Sequence, residues 1–431
     1  MEQRRCARDP DRRSGRRARV LAVLAGAAVL VAGCGQSRPP AGGGQQDLAG
    51  SGQQVLVGRA EQLRHSSLSP GQVTAAEDAF SLALFGRVCS SKPGPNLLLS
   101  PESAAEALGM LYAGAKGPTA ASLGRLLRLP AWNPGLVAAL HRHTATLAGL
   151  HQLAVSNHLF EQSGDRPAQR VLDDLRTAYH VGVGVADFGD EPATTNRINA
   201  VVARETHGLV PALFQSPLPS STRVVLTNAL YLKAPWLRPF PAASPAPFRT
   251  TGGRVVHVPL MSSTAQVASY RRAGGWQSAT LPYAGGRLAA VALLPPVRAA
   301  TCAVPTLAQW TALTAGTSAQ SAGVRLPRLH LTQTWDHLQV PLAAMGLPLN
   351  GDYTGLGPAD SQISEVVQHD TMDVTRAGTT AAAATGVAVG TAEPAGRPLT
   401  LTFNRPFLLL LEDTATHTPL FFAQVCDPAQ Q

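Results

Sequence analysis

The sequence predicts an α+β fold for one domain, residues 74–431. Helical patterns lie mainly in the first part of this region and strand patterns in the later part, which is typical of that fold class. Hydrophobic residues make up 45% of the chain, enough to bury a sizeable core. No internal repeat and no linker-like stretch divides residues 74–428.

The first predicted helix begins near Thr74. Thr74 and Glu77 have the spacing of a capping box, in which each side chain caps the other's backbone N–H. An apolar stripe with helical spacing follows at Phe80, Leu84 and Val88. This pattern predicts a helix that buries one face.

Two further helices are predicted from a polar cap followed by proline. Proline suits the first helical position because its missing N–H would have no partner there. The pairs are Ser100-Pro101 and Asn133-Pro134, and the second helix of the two extends to about residue 150. A fourth helix is predicted around residues 193–206.

Strand-like segments follow the first three helices, and the fourth helix separates some of them. They combine β-branched and other apolar residues with bounding turn residues. They comprise residues 153–160, 181–188, 223–232, 288–294, 324–329, 407–411 and 420–425. The last two are continuous apolar runs, a pattern consistent with strands buried on both faces.

Residues 1–33 resemble a bacterial lipoprotein signal peptide. Eight arginines within residues 1–20 precede an uncharged run, 20–31, which is too short to span a membrane. The sequence Val-Ala-Gly-Cys that ends at Cys34 resembles a lipobox, so we expect cleavage before Cys34 and lipid on it. An ordinary cleavage site is the alternative. Lipidation implies export and anchoring to the outer face of a bacterial plasma membrane, or an extracellular protein if the chain is shed.

Most of the net charge of +9 lies in this N-terminal segment. Residues 1–20 hold +5 and residues 21–33 hold none, so their removal leaves +4. This balance gives no reason to expect nucleic acid as a partner. Residues 34–73, which are rich in Gly, Gln, Ser and Pro up to about residue 70, are expected to form a flexible tether after the lipidated cysteine.

Three cysteines remain for the body of the protein: Cys89, Cys302 and Cys426. Their number is odd, and they show neither C-x-x-C nor zinc-finger spacing, so buried free thiols are expected. His141 and His143 lie about 200° apart on a helix and should not converge on one metal. We expect them on a solvated face, and we expect no metal site and no cofactor.

The sequence also lacks the motifs of common catalytic sites. There is no G-x-S-x-G, H-E-x-x-H or phosphate-binding glycine loop. The chain is therefore not expected to be an enzyme.

Several segments, in order, resemble one family, the serpins, which are serine protease inhibitors. They are NLLLSPESAAEALGMLYAGAKGPT (96–119), INAVVARETHG (198–208), TNALYLKAPWLRPF (227–240), LPY (281–283), LPRL (326–329), MGL (345–347), DYTGL (352–356) and FNRPF (403–407). The resemblance spans residues 74–428. It implies the serpin fold, with helices packed around a large central mixed β-sheet, smaller sheets and an exposed reactive-centre loop at about residues 378–398.

The same resemblance implies a function. A serpin acts as a suicide substrate: a target serine protease cleaves the loop, is trapped as a covalent acyl-enzyme, and is distorted as the loop inserts into the central sheet. A non-inhibitory serpin that acts as a carrier or surface-binding module is the alternative, and so is a solute-binding lipoprotein. No polyanion activator is expected, and the chain is expected to be a monomer.

The resemblance places the hinge of the loop at the start of an alanine-rich run. Residues 378–392 carry no charge, no proline and nothing bulkier than valine, so they are compatible with a buried strand. The expected hinge residues are Gly378, Thr379, Thr380, Ala381, Ala382, Ala383, Ala384 and Thr385. Strand alternation puts Thr379, Ala381, Ala383 and Thr385 on one face, and the resemblance implies that this face packs on the core.

Counting from the hinge places the reactive bond between Ala392 and Glu393. Counting back from the C-terminal strands places it at Ala395 instead. Both positions are alanine, while Arg397 is followed by Pro398, which trypsin-like proteases resist. An elastase-like or subtilisin-like target is therefore expected.

Other family positions match residues beneath the central sheet. Ser100, Ser103, Asn228 and Gln368 match the shutter, which controls whether two strands part, and Trp236 matches the breach, where insertion begins. Gln368 stands where the family usually has histidine, so a differently connected shutter is expected. Arg376 replaces an acidic residue, which is expected to weaken the latch of the intact loop.

Overall fold

The computed structural model describes residues 54–63, 65–208, 210–314, 320–357, 362–379 and 399–430. The described helices are α1 (Pro70–Ser91), α2 (Pro101–Gly114), α3 (Gly117–Leu127), α4 (Pro134–Ala148), α5 (Gln169–Ala178), α6 (Glu191–Glu205), α7 (Leu307–Thr314) and α8 (Gln339–Ala344). No helix in these ranges is both long and apolar enough to cross a membrane.

The described strands form two sheets. They are β1 (Val55–Leu56), β2 (Leu97–Leu99), β3 (Leu153–Gln162), β4 (Val183–Ala186), β5 (Val224–Leu232), β6 (Ala234–Pro235), β7 (Ala242–Arg249), β8 (Val255–Ala273), β9 (Trp276–Pro282), β10 (Leu288–Leu294), β11 (Gln320–Pro327), β12 (Leu329–Trp335), β13 (Ile363–Val374), β14 (Gly378–Thr379), β15 (Thr400–Thr402), β16 (Phe407–Asp413) and β17 (Pro419–Val425).

Sheet A has eight strands in the order β1-β4-β3-β5-β13-β14-β6, with β12 also paired to β13. It is mixed, because β3 pairs in parallel with β4 and β13 pairs in parallel with β5. Sheet B has nine strands in the order β15-β11-β8-β9-β10-β16-β17-β2, with β7 beside β8. The α+β class is confirmed, although the second sheet is as extensive as the first.

The continuous apolar runs predicted near the C-terminus are strands buried on both faces. Along β16, Leu410 packs into the core cluster that contains α1 and α2, whereas Leu409 packs into the cluster between the two sheets. On β17, Phe422 and Phe421 divide in the same way. The rings of Phe85 in α1 and Phe422 are 4.1 Å apart at their centroids, so these strands connect the helical layer to the core between the sheets.

The caps predicted for α2 and α4 are confirmed. The Ser100 hydroxyl accepts a hydrogen bond from the Ser103 N–H at 3.3 Å, and the Asn133 side chain accepts one from the Leu136 N–H at 3.0 Å. Each cap precedes a proline at the first helical position. Local sequence therefore determines where both helices begin.

The predicted start of α1 is wrong by four residues. The capping box is formed by Ser69 and Gln72: Ser69 accepts from the Gln72 N–H at 3.3 Å, and Gln72 accepts from the Ser69 N–H at 2.9 Å. Thr74 lies inside the helix and donates its hydroxyl to the Thr416 carbonyl at 2.7 Å. Ser69 is the cap, and Pro70 follows it. The sequence therefore carries the same cap-plus-proline pattern here that marks the other two helices.

Part of the segment expected to be a flexible tether is structured. Val55 and Leu56 pair antiparallel with Gly184 and Val183 at the edge of sheet A. Residues 1–53, which include Cys34, lie outside the described residues. The tether prediction is therefore wrong for residues 55–56 and for the start of α1.

The cysteine prediction is also wrong in part. Cys89 of α1 and Cys302 form a disulfide with their Cα atoms 5.6 Å apart, whereas Cys426 is free and buried. The two bonded residues are 213 positions apart in the chain. Only the tertiary fold brings them together, and so no spacing pattern could reveal the bond.

Candidate functional site

The first two hinge residues form a short strand within sheet A. In β14, Thr379 pairs with Val374 of β13 on one side and with Ala234 of β6 on the other. Gly378 pairs with Pro235. β6 follows β5 directly in the chain. The strand β14 therefore lies between β6 and β13, just beyond the point where the direct pairing of β5 with β13 ends.

The rest of the predicted loop lies outside the described residues. This applies to the hinge residues Thr380, Ala381, Ala382, Ala383, Ala384 and Thr385 and to the reactive bond between Ala392 and Glu393. Description resumes at Leu399, next to the edge strand β15 of sheet B. The predicted loop thus connects the interior of sheet A to the edge of sheet B.

Close packing surrounds both described hinge residues. Thr379 is 1% exposed, and its hydroxyl forms a hydrogen bond with the Tyr283 hydroxyl. A Cβ atom on Gly378 would lie 2.3 Å from the Ala234 carbonyl oxygen and 2.6 Å from the Pro235 Cα. Only glycine fits at residue 378 without a shift of the neighbouring backbone.

Trp236, the predicted breach residue, anchors the turn that leads to the hinge. Its indole N–H donates to the Thr375 carbonyl at 2.9 Å, and its backbone N–H donates to the Ala377 carbonyl at 2.9 Å. Its ring is stacked on Tyr283 with centroids 4.4 Å apart. Because Tyr283 also bonds Thr379, one aromatic pair contacts the turn before the hinge and the hinge itself.

Arg376 makes contacts of its own at this turn. Its guanidinium donates to the carbonyls of Phe240 at 3.1 Å and Pro241 at 2.6 Å. The Phe240 N–H donates in return to the Arg376 carbonyl at 2.9 Å. The expectation that Arg376 weakens the latch of the intact loop was based only on the loss of the acidic residue that the family has at this position. The structure shows that the Arg376 side chain makes these two hydrogen bonds instead.

The predicted shutter residues lie where β5 and β13 meet. These strands form a parallel ladder of seven residue pairs, from Val224 with Ile363 to Leu230 with Asp370. Within it, Asn228 lies directly opposite Gln368. A strand that entered beyond β14 would have to separate this ladder.

Both shutter strands bind the first turn of α2. The Asn228 side-chain NH₂ donates to the Ser103 carbonyl at 2.6 Å, and the Gln368 side-chain NH₂ donates to the Ser100 carbonyl at 2.7 Å. All four residues are at most 2% exposed. The start of α2 therefore bridges the two strands that would part.

The serines contribute in a way that residue type alone did not indicate. The Ser100 hydroxyl caps α2, while the Ser103 hydroxyl is buried and has no hydrogen-bond partner among the described residues. Their backbone carbonyls make the contacts to the strands. Small size and position in the first turn of the helix are thus the relevant properties.

The sequence reasoning missed two residues that extend this network. The side-chain amide oxygen of Asn157 accepts from the Asn228 side-chain NH₂ at 2.6 Å, and the Asn157 side-chain NH₂ donates to a carboxylate oxygen of Glu106. Asn157 lies in β3, directly opposite Asn228. The available indication was a run of three polar residues, Ser156, Asn157 and His158, between apolar residues of the predicted strand.

Glu106 adjoins a buried cluster of Glu77, Glu102 and His143. The His143 Nε2 atom lies 3.0 Å from a carboxylate oxygen of Glu77 and 3.0 Å from one of Glu102. The prediction that His143 is solvated is wrong, because its side chain is only 6% exposed. His141 instead contacts the Thr177 carbonyl at 2.9 Å, so the two histidines do diverge.

Burial and mutual charge shift the titration of this cluster. Burial raises the pKa of Glu77 well above its ordinary value, and the charge of Glu102 raises it further. The pKa of Glu106 rises to about 8 for the same two reasons. Burial lowers the pKa of His143, but the charges of Glu77 and Glu102 outweigh this effect and raise it to about 10.

Comparison with known proteins gives a consistent result. The family model described as "Serpin (serine protease inhibitor)" matches residues 75–428. The leukocyte elastase inhibitor of Bos taurus is 29% identical over 379 residues, which cover 83% of this chain and all of that protein.

Two solved structures show the same fold. Tengpin, a thermophilic serpin in its native state, matches with a TM-score of 0.76 and 23% identity, covering 87% of this chain and all of that one. Thyroxine-binding globulin in complex with thyroxine matches with a TM-score of 0.69 and 24% identity, covering 83% of this chain and 99% of that one.

Proposed function

Because this chain belongs to the serpin family, we propose that it inhibits an extracellular serine protease of the elastase or subtilisin type as a suicide substrate. The position of β14 is the observation that carries this proposal. The strand β14 already pairs with β13 through Thr379 and with β6 through Gly378 and Thr379, at the open end of the β5–β13 ladder. A cleaved loop could continue from this start as a new central strand.

In the proposed mechanism the target protease supplies all of the catalysis. Its serine oxygen attacks the carbonyl carbon of Ala392, the peptide bond to Glu393 breaks, and the Glu393 amine leaves with a proton. The serine is then joined to Ala392 by an ester. Residues from Thr380 onward enter between β5 and β13, which carries the attached protease away before water hydrolyses the ester.

The composition of the hinge supports the inhibitory role over the carrier role. A charge or proline in the entering strand would oppose insertion, because an unpaired buried charge costs several kcal/mol and proline lacks a ladder donor. Residues 378–392 contain neither. The match to thyroxine-binding globulin concerns the fold only.

The proposal includes attachment to a membrane. We place a diacylated Cys34 at the mature N-terminus, anchored on the outer face of a bacterial plasma membrane, with the inhibitor acting as a monomer and without nucleic acid or a polyanion activator. Detergent phase partitioning tests the anchor: the wild-type chain should enter the detergent phase, and Cys34→Ser should stay in the aqueous phase. Equal partitioning of the two would rule out lipid at Cys34.

Incubation of the purified full chain with pancreatic-type elastase and, separately, trypsin tests the function. We expect an adduct with elastase that survives boiling in denaturing gels, and a released peptide whose mass identifies Glu393 or a nearby residue as its first. Cleavage without an adduct and without a gain in thermal stability would exclude inhibition and favour a binding role.

A further inference from the structure

A small pocket lies against α1, α2 and α4. Its lining contains four potential metal-binding groups: Glu77 from α1, Glu102 and Glu106 from α2, and His143 from α4. The other lining residues are apolar, apart from a threonine and a tyrosine. The described residues that line it include no lysine or arginine.

Three of these groups converge closely. One ligand atom from each of Glu77, Glu102 and His143 lies within 4.8 Å of the others. The His143 Nε2 atom is 3.0 Å from both carboxylate oxygens. The side chains are 11%, 4% and 6% exposed, respectively, so this is an interior group of donors rather than a surface patch.

The second carboxylate oxygen of Glu102 is a separate observation. It is buried and has no hydrogen-bond partner among the described residues. A buried carboxylate oxygen normally has a donor, because leaving it unpaired costs free energy. In a pocket with no lysine or arginine in its described lining, a metal cation would supply the missing partner.

The types of donor also suit zinc. Three carboxylates, Glu77, Glu102 and Glu106, line the pocket together with the imidazole of His143, and zinc binds both carboxylate oxygen and imidazole nitrogen. Tetrahedral zinc with bonds of about 2.0–2.2 Å to His and carboxylate ligands holds its ligand atoms about 3.3 Å apart. The present His143 distances of 3.0 Å need to lengthen by only a few tenths of an ångström.

We propose that Glu77, Glu102 and His143 bind one zinc ion, with Glu106 or water in the fourth position. The ion would join α1, α2 and α4 in the core. Because Glu102 lies in the same helical turn as Ser100 and Ser103, the ion would also fix the turn that contacts β5 and β13. Bound zinc should therefore raise the thermal unfolding midpoint of the whole protein.

Calorimetric titration of the metal-free full chain with zinc chloride tests the proposal. We expect saturable binding at one site per chain and an increase in the thermal midpoint on saturation. His143→Gln should weaken this binding at least a hundredfold. The matched control is His151→Gln, because His151 is exposed and its loss should leave the affinity unchanged. Absence of saturable binding, or equal affinity in His143→Gln, would overturn the proposal.

X-ray absorption at the zinc edge provides a second test that needs no variant. On the wild-type chain with one equivalent of zinc, we expect one imidazole nitrogen and otherwise oxygen ligands at about 2.0–2.2 Å. Sulfur ligation, or a set of several imidazoles, would assign the ion to other residues and would overturn the site even if His143→Gln failed to fold.

Discussion

Thr379→Arg tests whether the hinge must enter sheet A. Thr379 is 1% exposed, lies between β13 and β6, and bonds the Tyr283 hydroxyl. An arginine there either stays buried without a partner or forces β14 out of the sheet. In both cases the first step of the proposed insertion becomes less favourable.

The size of this effect follows from the burial. An unpaired charge in such a site costs about 3 kcal/mol or more even after local relaxation. If the transition state for insertion carries that cost, insertion slows by about a hundredfold. Hydrolysis of the acyl-enzyme does not involve Thr379, so its rate should not change and hydrolysis should become the main outcome.

The assay is the number of inhibitor molecules consumed for each molecule of elastase inhibited, together with the yield of adduct on denaturing gels. Thr379→Arg should be cleaved as a substrate with little adduct. Thr400→Arg is the matched control, because Thr400 is exposed at the start of β15 in sheet B, and it should behave as the wild type does. An undiminished adduct yield from Thr379→Arg would refute the requirement for hinge burial.

Two further predictions concern the rest of the fold. Reduction of the denatured wild-type chain should expose two additional thiols, and an unchanged thiol count would contradict the disulfide. Cys302→Ser should lower the free energy of unfolding by about 2–4 kcal/mol. The same variant should abolish the effect of reductant on the thermal midpoint. Burial, reinforced by the charge of Asp165, raises the pKa of Glu161 from 4.5 to about 9, so the stability that it contributes is complete below pH 4.5 and is lost as the pH rises through 9. Glu161→Gln should therefore unfold at a higher temperature than the wild type at pH 9 but not at pH 4, and parallel pH profiles of the two would disprove this origin.

Features set by nearby residues could be predicted from the sequence. The caps of α2 and α4 depend on residues three positions apart, and the apolar runs of β16 and β17 report their burial directly. Thr74 was chosen as the cap because Thr74 and Glu77 have capping-box spacing. Ser69 and Gln72 have the same spacing, and the proline after Ser69 gives the better indication. The fold class needed only the order of such elements along the chain.

Contacts between distant segments could not be predicted in the same way. The disulfide and the cluster around His143 each combine residues from separate helices or loops. The helical angle correctly separated His141 from His143, but it carries no information about which neighbour covers each side chain. That depends on how α4 packs against α1 and α2, and packing is a property of the assembled core.

The contacts of α2 limit how large a barrier the shutter can present under the proposed mechanism. The Asn228–Gln368 pair is the third from the open end of the β5–β13 ladder, so separation reaches it early. If α2 stays with β5, the Gln368 bond to Ser100 breaks. A single neutral hydrogen bond contributes about 0.5–1.5 kcal/mol net, which slows opening modestly.

Opening also breaks one parallel ladder, but an inserted strand forms two new ladders, one with β5 and one with β13. The exchange therefore gains about one ladder of backbone hydrogen bonds, and this gain grows with each residue that enters beyond Thr379. The bond from Gln368 to Ser100 is lost only once. The shutter can thus delay the start of insertion, whereas its completion depends on how many residues after Thr379 can be buried without charge or proline.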